Sequence, residues 1–123
     1  MLKTLAIIVV AVIISGAGHV MLAKAMRSVG DLTETPASQV GGRVARALSN
    51  PWLLAGVALQ ACFFFMYLTL LSRADLSQVL PLTALDYIVV AVLAQIVLAE
   101  PVTATRWLGI GLIVAGVALV SRT

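Results

Sequence analysis

The sequence predicts an all-α integral membrane fold, four transmembrane helices in two antiparallel hairpins, paired as a dimer. Three observations carry that prediction. Of the 123 residues, 62% are hydrophobic and 11% charged, with a mean hydropathy of +1.12, whereas a soluble domain averages about 45–50% apolar and about 25% charged. So large an apolar excess cannot be hidden in so small a globule, whose surface-to-volume ratio leaves much of the chain exposed, and the solvent for most of it is therefore lipid. The charges also fall between apolar runs of bilayer-crossing length, about 20 residues at 1.5 Å rise each. The composition excludes disorder, a disulfide scaffold and an ordinary soluble enzyme. Cys62 stands alone and closes no internal disulfide. The formal charge of +3 and pI near 9.6 point to headgroup contacts rather than nucleic acid, because the basic residues flank apolar runs.

The first span covers residues 4–25, and His19 is the only ionisable residue in its apolar stretch from Thr4 to Ala23. Its opening, Met1-Leu2-Lys3 before an apolar run and Ser15-Gly16-Ala17-Gly18, shares the layout of a secretory signal; the apolar stretch continues to Leu22, which favours a retained membrane helix. Residues 27–50 form a long connection with charges, Gly30, Pro36 and Gly41-Gly42. Within it Ser38 is placed to cap a short interfacial helix whose Val40, Val44 and Leu48 share a face, with Arg43 and Arg46 elsewhere; a solvated loop is the alternative. The second span, 51–71, opens on Asn50-Pro51, where proline suits a first helical turn. The third, 76–99, carries Asp86 as its one ionisable residue. The fourth, 102–120, follows Glu100-Pro101 and carries Arg106 early. Short second and third connections make neighbouring spans antiparallel.

Lys3, Arg73 and Arg122 fall on the side of the termini, and Lys24, Arg27, Arg43, Arg46 and Arg106 on the side of the long connection. The latter side therefore leans cytoplasmic, by a margin small enough to allow dual orientation.

Few groups are available for chemistry. An ionisable group near the bilayer centre costs about 2.5–3.5 kcal/mol on insertion scales, so it calls for a partner or a purpose. Asp86 is such a group, with Leu82 and Thr83 one turn earlier on its face and Tyr87 beside it. Two readings stand: a carboxylate paired with a cation or proton in a pathway, or a neutral acid that helps the bundle pack. His19 shares a face with Ser15 and can exchange a proton near neutral pH or serve as a packing hydrogen-bond partner. Lys24 either snorkels to the headgroups or greets an anionic substrate. Gln60 and Tyr67, at i and i+7 with Gly56 near the same face, suit a shared cavity wall, although Tyr67 also fits a membrane boundary. The phenylalanine cluster Phe63-Phe64-Phe65 reads as lipid-facing or packing surface. Gly109, Gly116 and the Gly111/Ala115 pair let a second backbone approach, within the chain or across a dimer seam. No catalytic constellation, phosphate loop, metal-ligand cluster or cofactor motif is present in the sequence, so an enzyme is not expected and transport would be passive or gradient-driven.

Several motifs together resemble a known family. Leu71-Ser72-Arg73-Ala74-Asp75-Leu76-Ser77, Val79-Leu80-Pro81-Leu82, Glu100-Pro101-Val102 and Arg106-Trp107-Leu108-Gly109-Ile110-Gly111 look like the closing hairpin of the drug/metabolite transporter (DMT) superfamily in its EamA-like branch. Gly18-His19-Val20-Met21-Leu22-Ala23-Lys24 resembles the glycine-to-lysine pattern ending helix one in four-helix members. Small multidrug resistance proteins are similar in length and exchange protons for cationic drugs through a helix-one glutamate. The register counted back from Lys24 puts Gly16 at that position, and helix one here has no acid. The subunits that flip undecaprenyl-phosphate-linked aminoarabinose also lack it, and Lys24 with Arg27 would suit a lipid phosphate.

The resemblance implies a transporter or flippase of the bacterial inner membrane, moving a small polar or lipid-linked metabolite by alternating access. Asp86, His19 and Tyr87 would line its path, with Gln60 and Tyr67 in the wall and Lys24 at the entrance. Membrane lipid and a second chain, identical or a similar small one, are the implied partners. A proton-coupled exporter of cationic drugs and a non-transporting subunit of a larger complex are the alternatives.

Overall fold

The computed structural model describes residues 2–122, and every regular element among them is helical. Met1, which begins the signal-like opening, and Thr123 lie outside the described residues. Helix α1, Leu2–Val29, contains no proline, continues unbroken through Gly16 and Gly18 and runs past Lys24 and Arg27, several residues beyond the expected end. It stops at Gly30, whose φ of +94° suits a left-handed helix terminus and whose N–H bonds the Met26 carbonyl at 3.0 Å.

The long connection is structured. A 3₁₀ turn, Leu32–Glu34, is capped by Asp31, which accepts hydrogen bonds from the Thr33 N–H and hydroxyl. Helix α2, Ala37–Leu48, then begins at Pro36 rather than at a Ser38 cap; Ser38 lies inside its first turn, and the Pro36 side chain makes no capping bond. A fixed proline φ preorganises the entry without a side-chain cap. Gly41-Gly42 does not interrupt α2, and its Val44 and Leu48 remain exposed, as a helix lying on a membrane surface requires.

Helix α3, Pro51–Leu71, starts where expected, with the Asn50 side chain accepting from the Trp52 N–H at 2.9 Å. The expected continuous third span is instead two helices, α4 (Leu76–Thr83) and α5 (Asp86–Val97). Pro81 has no N–H to return to the Ser77 carbonyl. Three residues on, the ladder tightens to i→i+3 bonds: Leu85 to Leu82, Tyr87 to Ala84 and Ile88 to Leu85. Asp86 thus opens a helix rather than sitting inside one. The span ends at Val97, two residues early, because Ala99 adopts a left-handed φ of 52°. Helix α6, Ala104–Ser121, starts two residues later than expected, at a Thr103 cap that accepts from the Arg106 N–H.

Four helical spans are long and apolar enough to cross a membrane, which makes this an integral membrane protein. Helix α1 is central, with α3 packed along one side and α5 along another; α6 leans chiefly on α4. Near the end that carries the termini, Ile8 and Val12 of α1, Leu70 of α3, Val79 and Leu82 of α4 and Val117 of α6 form the buried apolar core.

Candidate functional site

Three polar side chains meet at mid-height. Ser15, Gln60 and Asp86 each lie near the middle of their spans, so the fold brings α1, α3 and the α4–α5 junction together in one polar layer. Ser15, 1% exposed, donates its hydroxyl to Asp86 Oδ2 at 3.1 Å, and Gln60 Nε2 donates to the Ser15 carbonyl at 3.1 Å. His19, one turn above Ser15, brings Nε2 to 3.4 Å from the same Asp86 oxygen. Each bond satisfies a group that would otherwise be left unpaired in a low-dielectric setting.

These residues line a cavity of about 330 Å³ together with Phe63 of α3 and with Leu80, Thr83, Ala84 and Tyr87 of the α4–α5 segment. Asp86 Oδ2 carries both contacts, while Oδ1 has no hydrogen-bond or ion-pair partner among the described residues. The side chain of Asp86 is 17% exposed and that of His19 is 51% exposed, so the acid is recessed and the imidazole stands at the opening. Such a pair can hold a proton between two bases, and Oδ1 can accept from an ammonium or hydroxyl group. The break at Pro81 matters here, because a helix end near the bilayer midplane exposes an inward acid to a cavity instead of to a neighbouring helix.

The residues singled out in the sequence therefore separate. Asp86, His19, Tyr87 and Gln60 share the cavity. Tyr67 does not line it; its ring stacks on Phe63 at 6.2 Å between centroids and packs against the apolar core. Lys24 lies apart too, its ammonium 4.1 Å above the Trp52 ring. A Cβ added at Gly109, Gly111 or Gly116 would meet nothing within 4 Å, so packing within the chain does not account for them. Beyond the cavity, Glu100 joins two helices: one carboxylate oxygen meets Arg27 and the other lies 3.9 Å from Arg106.

Two further members of the site carry a signal in the sequence. Ser15 is a hydroxyl at mid-span, four residues before the sole histidine and on its face, which marks the inward side. Within the phenylalanine cluster Phe63 is partly buried while Phe64 and Phe65 are 54% and 68% exposed. The order of the three residues around the helix separates them.

The sequence model of the EamA-like transporter family matches residues 32–122. The chain is 33% identical over 72 residues to a probable 4-amino-4-deoxy-L-arabinose-phosphoundecaprenol flippase subunit ArnE of Aeromonas hydrophila; the match covers 58% of this chain and 63% of that protein. It is 31% identical over 83 residues to the protein of the same name from Serratia proteamaculans, covering 68% of this chain and 72% of the relative. The Pseudomonas fluorescens protein of that name is 29% identical over 77 residues, with 63% and 68% covered. No solved structure matches.

Proposed function

The chain belongs to the EamA-like transporter family, and from that premise we propose that it is a flippase-type transport subunit that moves a small polar or lipid-linked metabolite by alternating access. The observation that carries this reading is the Asp86–His19–Ser15 cluster, which faces a cavity at mid-membrane height. An acid there is costly unless it is used. The relatives bear the name of a flippase subunit for a lipid-linked aminosugar, and an amino group is the chemistry that Asp86 Oδ1 is free to accept. In this reading Asp86 and His19 bind and release the cargo, Gln60 and Tyr87 shape the wall, and Tyr67 supports Phe63 from behind.

The cavity is open on the side of His19 and the half-exposed Tyr87, and no α6 residue lines it. A second chain, identical or a similar small one, would close it, in keeping with the relatives' name of subunit. The unfilled glycines of α6, with Ala115, would supply a seam for close backbone approach. The basic side of the long connection would face the cytoplasm of a bacterium, with the spans in its inner membrane.

Flux of a lipid-linked aminosugar into reconstituted vesicles tests the reading. Asp86→Asn is expected to abolish flux without loss of the folded protein, and Ser15→Ala to slow it. Wild-type flux in Asp86→Asn would remove Asp86 from the site. A second reading, proton-coupled export of cationic drugs, is favoured by one contact. The Asp86 carbonyl lies 3.6 Å from where a Gly16 Cβ would be, so Asp86 reaches the neighbourhood of the position that holds a glutamate in small multidrug resistance proteins. Resistance of expressing cells to quaternary ammonium compounds, lost in Asp86→Asn, would select that reading.

A further inference from the structure

A second recess lies on the other side of α1. Ala17, Val20, Met21 and Lys24 follow an i, i+3, i+4, i+7 stripe, and with Trp52 of α3 and Leu93 and Val97 of α5 they enclose a slot of about 200 Å³. Ser15 and Lys24 are separated by about two and a half helical turns, so slot and Asp86 cavity occupy nearly opposite faces of α1. The slot runs about 10 Å along α1, from mid-span to the level of Lys24; its exposed lining is wholly apolar, Lys24 contributing its methylene stem while the ammonium lies over the Trp52 ring.

We propose that this slot seats one acyl chain of an anionic glycerophospholipid, with the lipid phosphate held by Lys24. The charge pattern favours that occupant. On this side of the membrane Arg27 and Arg106 share Glu100, whereas Lys24 has no hydrogen-bond or ion-pair partner among the described residues. Its ammonium is steadied by the Trp52 face, a contact that leaves N–H donors free. The slot is hydrocarbon throughout, with the Lys24 ammonium beside it on the Trp52 ring, an arrangement that matches a lipid tail with its phosphate nearby. The surface potential of a cytoplasmic leaflet would supply that lipid. This site is separate from the proposed transport site, and its occupant is a resident lipid rather than cargo.

The test uses Trp52 as reporter, in full-length Trp107→Phe protein reconstituted into phosphatidylcholine vesicles. A minor fraction of the lipid carries bromine on its acyl chains, either as phosphatidylglycerol or as phosphatidylcholine. Brominated phosphatidylglycerol is expected to quench Trp52 as though its occupancy were about fivefold higher, the preference that one lysine at an anionic surface confers. Lys24→Gln should erase the preference and Lys24→Arg keep it. Val97→Phe, which fills the slot and leaves the charge, should reduce quenching by both lipids. Equal quenching by the two lipids in the reporter protein, or undiminished quenching by both in Val97→Phe, would overturn the proposal.

Discussion

Glycine serves opposite purposes in two regions of this molecule. Where α1 meets its neighbours, glycines are contact points. A Cβ on Gly16 would overlap Val89 Cγ1, and one on Gly56 would lie 2.8 Å from Leu22 Cδ2 and 3.1 Å from the Gly18 carbonyl. Along α6, the same residue type faces open space at positions 109, 111 and 116. The comparison separates a closely fitted body, α1 with α3 and α5, from a helix attached at a few points. The fitted body holds the polar cluster in register; α6 adds Val117 to the core and is tied at its start through Glu100. Glycines that must stay small within the chain are thereby distinguished from glycines free for contact with something outside it.

Substitution with alanine breaks or sharpens this contrast. The largest loss of stability is expected from Gly16→Ala, which drives a methyl group into a β-branched side chain that cannot swing away. Overpacking of this kind costs about 1–3 kcal/mol, and thermal unfolding of detergent-purified protein reads it. Gly56→Ala should behave similarly, because a backbone carbonyl is part of what it meets. Unchanged melting in both variants would mean that the fit between α1 and its neighbours is looser than the geometry indicates.

A smaller effect is expected at the attachment of α6. Glu100→Gln removes the charge shared by Arg27 and Arg106, both more than half exposed. Exposed pairs are worth about 0–1 kcal/mol and weaken with salt. The difference between variant and parent should therefore be modest at low ionic strength and shrink as salt is added. A salt-independent difference would point instead to a packing role for Glu100 beside the left-handed Ala99.

The layout of spans was legible because hydropathy over twenty residues records contact with lipid, and Asp86 was legible because a mid-span charge is rare. The α4–α5 break was less so. Pro81 marks where a ladder bond is missing, but a proline kink and a divided helix share that local signal. The placing of Lys24 on the face of α1 opposite Ser15 follows from helical periodicity alone, but that Asp86 joins the Ser15 face depended on how α5 packs against α1, which no single helix encodes. Ser15 shows the same limit: its place before His19 marks an inward face, but its partner is fixed only once α5 delivers a carboxylate to it. The α2 start at Pro36 was hidden because Ser38 offers a stronger side-chain signal than a proline whose contribution is conformational.

The smallest effect has the opposite sign, and for that reason it discriminates most sharply between the two regions. Gly111→Ala adds a methyl group where nothing lies within 4 Å, in the interior of an 18-residue helix. Alanine in a helix interior is favoured over glycine by about 0.5–1 kcal/mol, because glycine loses more backbone freedom on folding. The variant should therefore melt slightly higher than the parent as a single chain, the reverse of Gly16→Ala. If α6 also forms the seam to a second chain, the added methyl should weaken association measured by analytical ultracentrifugation while leaving that gain intact. The two readouts then part company: a stabilised chain that associates less well assigns the α6 glycines to an intermolecular contact. A chain destabilised by this methyl would show that α6 packs within the protein after all.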